Sequence, residues 1–210
     1  MRDRAEIKAL LLDRLWRERF HTEPDALENV PERNRPAPGS IWEPAEWMRS
    51  RIARLPGGLL RLWAESGRGH ILVARRPSQY VPGRATWHGQ ALEGLCEIRA
   101  ADAFTSRGLA LEALADLVDH LLGSQAREDG AWLADGHGCT PQLSSVAARL
   151  VRIHALGYAT PPGEVDAPRR YFARTLALYL SEPAELNHLD PLSHRLYSQT
   201  LLSERWWSAQ

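Results

Sequence analysis

Lysine is almost missing from this chain: Lys8 stands alone among 26 basic residues, and the rest are arginine. Cysteine is nearly as scarce. Cys96 and Cys139 are too few for a disulfide framework, so a reducing compartment is the default. Net charge is zero, which removes any global field that would draw the chain to nucleic acid or an anionic membrane. No run of about 18 apolar residues occurs, so nothing reads as a membrane span. The opening MRDRAEIKALLLDRLW lacks the unbroken apolar core of a secretory signal. A Gly-rich phosphate loop, a serine nucleophile elbow and a basic–aromatic stripe are also lacking. These absences point to a bacterial-type cytoplasmic protein that binds neither nucleic acid nor bilayer. The arginine excess reads first as codon usage in a GC-rich genome. The competing reading is that guanidinium forks bind carboxylate or phosphate, but the arginines are scattered.

What is present is helical periodicity. The 210 residues suit one compact unit in two parts, 1–85 and 86–210. Residues 3–20 carry Ile7, Leu11 and Leu15 at four-residue spacing and predict an amphipathic helix. Residues 22–41 hold Pro24, Pro31, Pro36 and Pro38 and read as a long arm without regular structure. Pro44 restarts a helix that runs to about Leu55. Across 59–74, alternating apolar residues flank Ser66-Gly67-Arg68-Gly69 and predict a small β-hairpin, with a helix over 59–65 as the competing reading. From Thr86 onward the spacing predicts helices only: about 86–100, 107–123, 141–156 and 167–181, and a last one opened by Asp190-Pro191. Thr86, Thr140 and Asp190 mark starts about 50 residues apart, the period of stacked helical hairpins, with a non-repetitive all-α bundle as the competing reading.

The centre of that pattern is Gln125-Ala-Arg-Glu-Asp-Gly130-Ala-Trp132, lying between two apolar helices. It resembles the repeat turn of the terpenoid cyclase and protein prenyltransferase superfamily, and the likeness extends over about 86–207. The resemblance implies a mainly α chain: an α/α toroid of stacked hairpins, with an N-terminal helix, the Pro-rich arm and the β-hairpin outside it. In such a turn Gln125 caps the next helix and Trp132 stacks over it. The chain holds fewer hairpins than a full ring, so a closed toroid, an open crescent and a self-associating half-ring all stay open.

In a toroid the inner-helix N-termini meet at one mouth, bringing together Trp87, His88, His137, Cys139 and His194. Protein prenyltransferases hold zinc there through an Asp, a Cys just before an inner helix and a His on a later one. By that resemblance Cys139 and His194 fill the Cys and His places, and His137, with Asp135 nearby, stands where the Asp would be. Zn2+ suits such a thiolate and imidazole set. The bland alternative is a pair of solvated histidines and a small core cysteine. Glu93 and Asp135, with His88, form a candidate acid/base set. Trp87 and Tyr197 are candidate cleft residues. Trp47, Trp63, Trp132, Trp206 and Trp207 add either an aromatic platform or ordinary core, and Trp132 reads as a turn residue. Two functions follow, and neither settles whether the chain is an enzyme. One is a cleft that binds or transforms a terpenoid- or sugar-like molecule, with zinc assisting. The other is a non-catalytic interaction or assembly module using the open ring edge, the arm and Trp206-Trp207, with a protein partner or a second copy.

Overall fold

The computed structural model of the chain describes residues 3–28, 30–34, 42–105, 107–157 and 167–210. From the N-terminus run α1 (Arg4–Arg19), β1 (Phe20–Thr22), α2 (Glu43–Ile52), α3 (Gly57–Ser66), β2 (His70–Ala74), β3 (Gln79–Trp87) and β4 (Gln90–Arg99). There follow α4 (Ala100–Thr105), α5 (Arg107–Ser124), α6 (Pro141–His154), α7 (Pro168–Ser181), α8 (Pro183–Leu189), α9 (Pro191–Gln199) and α10 (Glu204–Ser208). Short 3-10 turns occupy Glu32–Asn34 and Leu133–Asp135.

The strands form one mixed sheet in the order β1-β2-β4-β3. β1, β2 and β4 are parallel, and β3 lies antiparallel on the edge beside β4. Parallel neighbours need a crossover, and α2 and α3 supply it between β1 and β2. Ile71, Val73, Cys96 and Ile98 point into the main core, which α5 shares. Leu72, Ala74, Leu92 and Leu95 form a second, smaller cluster with Val81, Ala85 and Trp87. This sheet overturns the toroid. Its strands come from both parts of the chain, and α5 makes its main helix contact with α7 rather than with residues 86–100.

The misreading of 86–100 has a physical cause. Leu92 and Leu95 share one cluster although they are three residues apart, a helical spacing that regular strand alternation cannot give. The β3–β4 ladder slips register between Val81 and Arg84, and Gly94 sits at φ 69°. A side chain at Gly94 would meet the Tyr80 hydroxyl at 3.0 Å. The irregular ladder resets the phase and lets a strand imitate a helix. The expected hairpin over 59–74 is likewise α3 followed by β2. Leu59, Leu60, Trp63 and Ala64 are buried at helical spacing, and Gly67, at φ 72°, stops the helix. Thr140 and Asp190 cap α6 and α9, accepting from Leu143 N–H at 3.2 Å and Ser193 N–H at 3.0 Å.

The Pro-rich segment does not reach out where it is described. Glu23 N–H extends the sheet by donating to Val73 O at 2.9 Å, and Ala26 and Val30 are buried in the main core. Arg75 pairs with Asp25 and Glu28, and Arg76 with Glu23. Such exposed pairs contribute little, so the two apolar anchors fix the segment. Residues 35–41 of the expected arm lie outside the described residues.

The C-terminus is also tied down. Trp207 Nε1–H donates to Leu201 O at 2.9 Å. Glu204 accepts from Lys8 at 2.8 Å and from Gly57 N–H, at the open start of α3, at 3.0 Å. The Trp207 indole rests on Gly58, where an added Cβ would come within 2.7 Å of it. Overpacking of that kind costs about 1–3 kcal/mol, whereas Gly→Ala inside a helix gains about 1 kcal/mol. Gly58→Ala should therefore destabilise the protein, and should stabilise it once Trp207→Gly has removed both the ring and the Cβ that crowd the position. Urea denaturation of the four chains checks this; the same sign in both backgrounds would refute the contact.

Candidate functional site

The buried helix α5 carries polar groups that organise the turn after it. Asp119 is fully buried, and its Oδ1 accepts from Ala134 N–H at 2.8 Å. Burial pushes its carboxyl well above the usual range, and Ala134 N–H and Arg169 oppose this without cancelling it. Tyr80 and His120 Nδ1 are hydrogen-bonded at 2.8 Å. The His120 ring stacks on Trp132, with centroids 4.6 Å apart and planes 9° from parallel. Arg169 covers Trp132 at 4.4 Å and pairs with Asp135 at 2.6 Å. Trp132 is thus a turn residue, held by His120 and Arg169. Gln125 is not the cap of the next helix, since Thr140 does that itself.

The sequence-predicted site residues are dispersed. His88 is exposed in the β3–β4 turn, its ring edge-on to Trp87 at 4.5 Å. Glu93 lies on β4 and pairs with Arg68 at 2.7 Å and Arg84 at 3.6 Å. The hydrogen bond from Arg68 holds its carboxyl below the usual range. Asp135 is closed in by Arg169 instead of facing Glu93. His137 is exposed in the loop before α6. Cys139 is half-buried, and burial pushes its thiol up, away from a thiolate. His194 leans on Tyr179, with ring centroids 5.3 Å apart. Tyr197 is fully buried, with its hydroxyl 2.7 Å from Thr175 Oγ1. Trp87 packs on His21 rather than lining a mouth of helix ends. Among the described residues no three His, Cys, Asp or Glu side chains gather as a ligand set. None of those helices is long and apolar enough to cross a membrane.

The structure does bring other residues together. A cavity of about 570 Å³ opens between α2, the first turns of α5 and the last turns of α7. Trp47 forms part of its wall. The guanidinium carbons of Arg51, one turn further along α2, and Arg107, at the start of α5, stand 5.7 and 5.9 Å from the Trp47 ring centre. Burial pulls the Arg51 guanidinium down, and so do its neighbours Arg54 and Arg107. Arg51 Nε and Trp47 Nε1 are buried without a hydrogen-bond partner among the described residues. Arg107 Nε donates to Ala103 O at 3.4 Å. No carboxylate of the described residues comes within 4.0 Å of either guanidinium. Leu111, Ala177 and Leu178 supply apolar wall, and Glu112, Arg174, Ser181 and Glu182 complete the lining. The sequence offered one signal for this site, the i,i+4 pair Trp47 and Arg51. Arg107 and Glu182 carry none, because only the packing of α5 on α7 brings them there. The chain matches no protein-family model, no curated protein and no solved structure.

A second cluster ties β1 to β2. Arg19 Nη1 lies 3.4 Å from His70 Nε2, and His70 Nδ1 lies 3.0 Å from His21 Nε2. Arginine only donates, so His70 accepts at Nε2, keeps its proton on Nδ1 and donates it to His21. Trp87, from the far edge strand, reaches across the sheet to within 4.6 Å of the His21 ring. A proton added to either imidazole would set N–H against N–H. His70 is lowered to about 4, chiefly by burial, with Arg19 and His21 adding to the shift and Glu93 opposing it. His21 is lowered too, by burial and Arg19.

The sign of the pH effect follows. Folded His70 binds fewer protons than unfolded His70 near 6.5, so its contribution is complete above about 6.5 and is lost as pH falls toward 4. His70 is only 5% exposed, and the expected loss is about 2 kcal/mol between pH 7 and pH 5. Asp116, raised to about 7 chiefly by burial, titrates with the opposite sign in the same window. The test is therefore the stability difference between the native chain and His70→Gln, which should shrink or reverse from pH 7 to pH 5. A difference that does not change with pH would remove His70 from the acid response.

Proposed function

We propose that the chain binds a small organic anion with an apolar body in the cavity between α2, α5 and α7. The observation that carries this is Arg51 and Arg107 beside the Trp47 ring, both without a carboxylate partner among the described residues. Guanidinium groups present several donors in a fixed fork suited to carboxylate or phosphate. A desolvated wall strengthens that attraction. The α5 N-terminus, at Arg107 and Gly108, adds the positive end of the helix dipole. Leu111, Ala177 and Leu178 then receive the apolar part. The volume falls in the range of small-molecule sites, and the wall mixes apolar side chains with the charged Arg51, Arg107, Glu112, Arg174 and Glu182.

The association reading finds less support. Trp207 is taken up against Gly58, and the described part of the arm is anchored in the core.

Titration calorimetry with 3-phenylpropionate and phenyl phosphate tests the reading. Hydrogen bonds to charged groups are worth about 1.5–3 kcal/mol, so Arg107→Ala should weaken binding at least about tenfold. Arg107 is exposed, and its removal should leave the melting temperature within a few degrees. Arg51→Ala should weaken binding similarly. Binding of neither probe at millimolar concentration, or affinity indifferent to both substitutions, would defeat the proposal.

A further inference from the structure

The same cavity carries an unpaired charge of the opposite sign. Glu182 ends α7 and lines the cavity with Arg51 and Arg107. Its carboxylate has no hydrogen bond or ion pair with any described residue. Arg51, Arg107 and Glu182 therefore share one space, yet neither arginine comes within 4.0 Å of the acid. The helix ends add to this polarity. α5 presents its N-terminus to the cavity and α7 its C-terminus, so the wall has a positive and a negative end in the backbone as well. At the α7 end the Leu180 carbonyl already draws a cation, accepting from Arg54 at 2.7 Å.

A ligand with an anion alone would satisfy the arginines and leave Glu182 as it is. We infer that the ligand is a zwitterion, an α-amino acid or a short peptide, with its carboxylate on Arg51 and Arg107 and its ammonium on Glu182. This rests on the anion-binding reading above and specifies the ligand class for it. Trp47, Leu111 and Leu178 receive the apolar side chain that branches from the charged backbone of the ligand. An ammonium suits the Glu182 side because it offers three donors and no acceptor, to a carboxylate and to helix-end carbonyls that only accept.

Calorimetry on the full chain compares four probes: 3-phenylpropionate, N-acetyl-L-phenylalanine, L-phenylalanine and L-phenylalanyl-L-phenylalanine. The first two carry the anion without an ammonium. Phenylalanine or the dipeptide should bind at least about tenfold tighter than both, the effect of one charge-assisted contact. The tighter of the two decides between a single amino acid and a peptide. E182Q should bring the ratio to within about twofold. Because Glu182 also precedes α8, helicity of the variant is checked by circular dichroism, and the probe comparison on the unaltered protein stands without it. Equal affinity for all four probes, or a ratio that E182Q does not change in a folded variant, overturns the zwitterion and leaves the anion reading in place. Binding of none of them overturns both.

Discussion

Helix α5 is the element on which the rest of the structure depends. From Ala110 to Gly123 every residue except Glu112 and Asp116 is buried. A helix apolar on all sides needs cover on all sides. β3 and β4 lie against it, α7 packs along it, and α3 and α6 close further flanks. Leu111, Leu114, Leu117, Leu121 and Leu122 are each fully buried, and truncating any one of them would cost about 2–5 kcal/mol. An ionised carboxylate in the same place would forfeit several kcal/mol, as much as one of those leucines supplies. Burial pushes Asp119 toward its neutral form, while one oxygen still accepts from Ala134 N–H.

The few polar groups on so apolar a helix fix what packs where. Leucines alone would accept several positions of the following turn. The Asp119–Ala134 hydrogen bond and the His120–Trp132 stack specify one, because a misplaced turn would cost the buried Asp119 carboxyl its Ala134 donor and uncover the His120 ring face. Gly130 belongs to the same constraint: a side chain there would overlap Ser124 at the end of α5. Tyr80 carries the constraint to the sheet, since its hydroxyl bonds His120 from β3. Sheet, central helix and turn are thus joined through a handful of buried polar atoms.

The helices that stand in apolar surroundings were legible in the sequence, with their starts. α1, α5, α6 and α7 keep their spacing, and Thr140 and Asp190 act as caps. The sheet was not legible. β2 is buried on both faces and has no alternation to read, while β4 carries an irregular ladder that spaces Leu92 and Leu95 as a helix would. Once β4 reads as helix, a period of about 50 residues emerges from elements of different kinds, and a repeat architecture follows from it. The turn at 125–132 compounds this. Its Gln, Gly and Trp fit a repeat motif, yet the partners of Trp132 are His120 and Arg169. Both lie in neighbouring helices, outside any window that a turn motif covers. The candidate site fared worse because it is built from three separate elements, and scattered arginines look alike until packing selects two of them.

What sets Arg51 apart is its cost to the chain itself, in a cavity it shares with the exposed Arg107. Most pairs of the surface arginines, such as Arg75 with Asp25 and Glu28, are local and solvated, and removing them would change little. Arg51 is partly withdrawn from water, its Nε has no hydrogen-bond partner among the described residues, and Arg54 and Arg107 add like charge beside it. Desolvation and repulsion both disfavour that arrangement in the empty protein. A glutamate in reach would relieve it, and Glu182 lies on the same wall without closing the distance. Where a local rule is broken and no described residue compensates, the compensation is expected from outside, and a ligand carrying both charges supplies it.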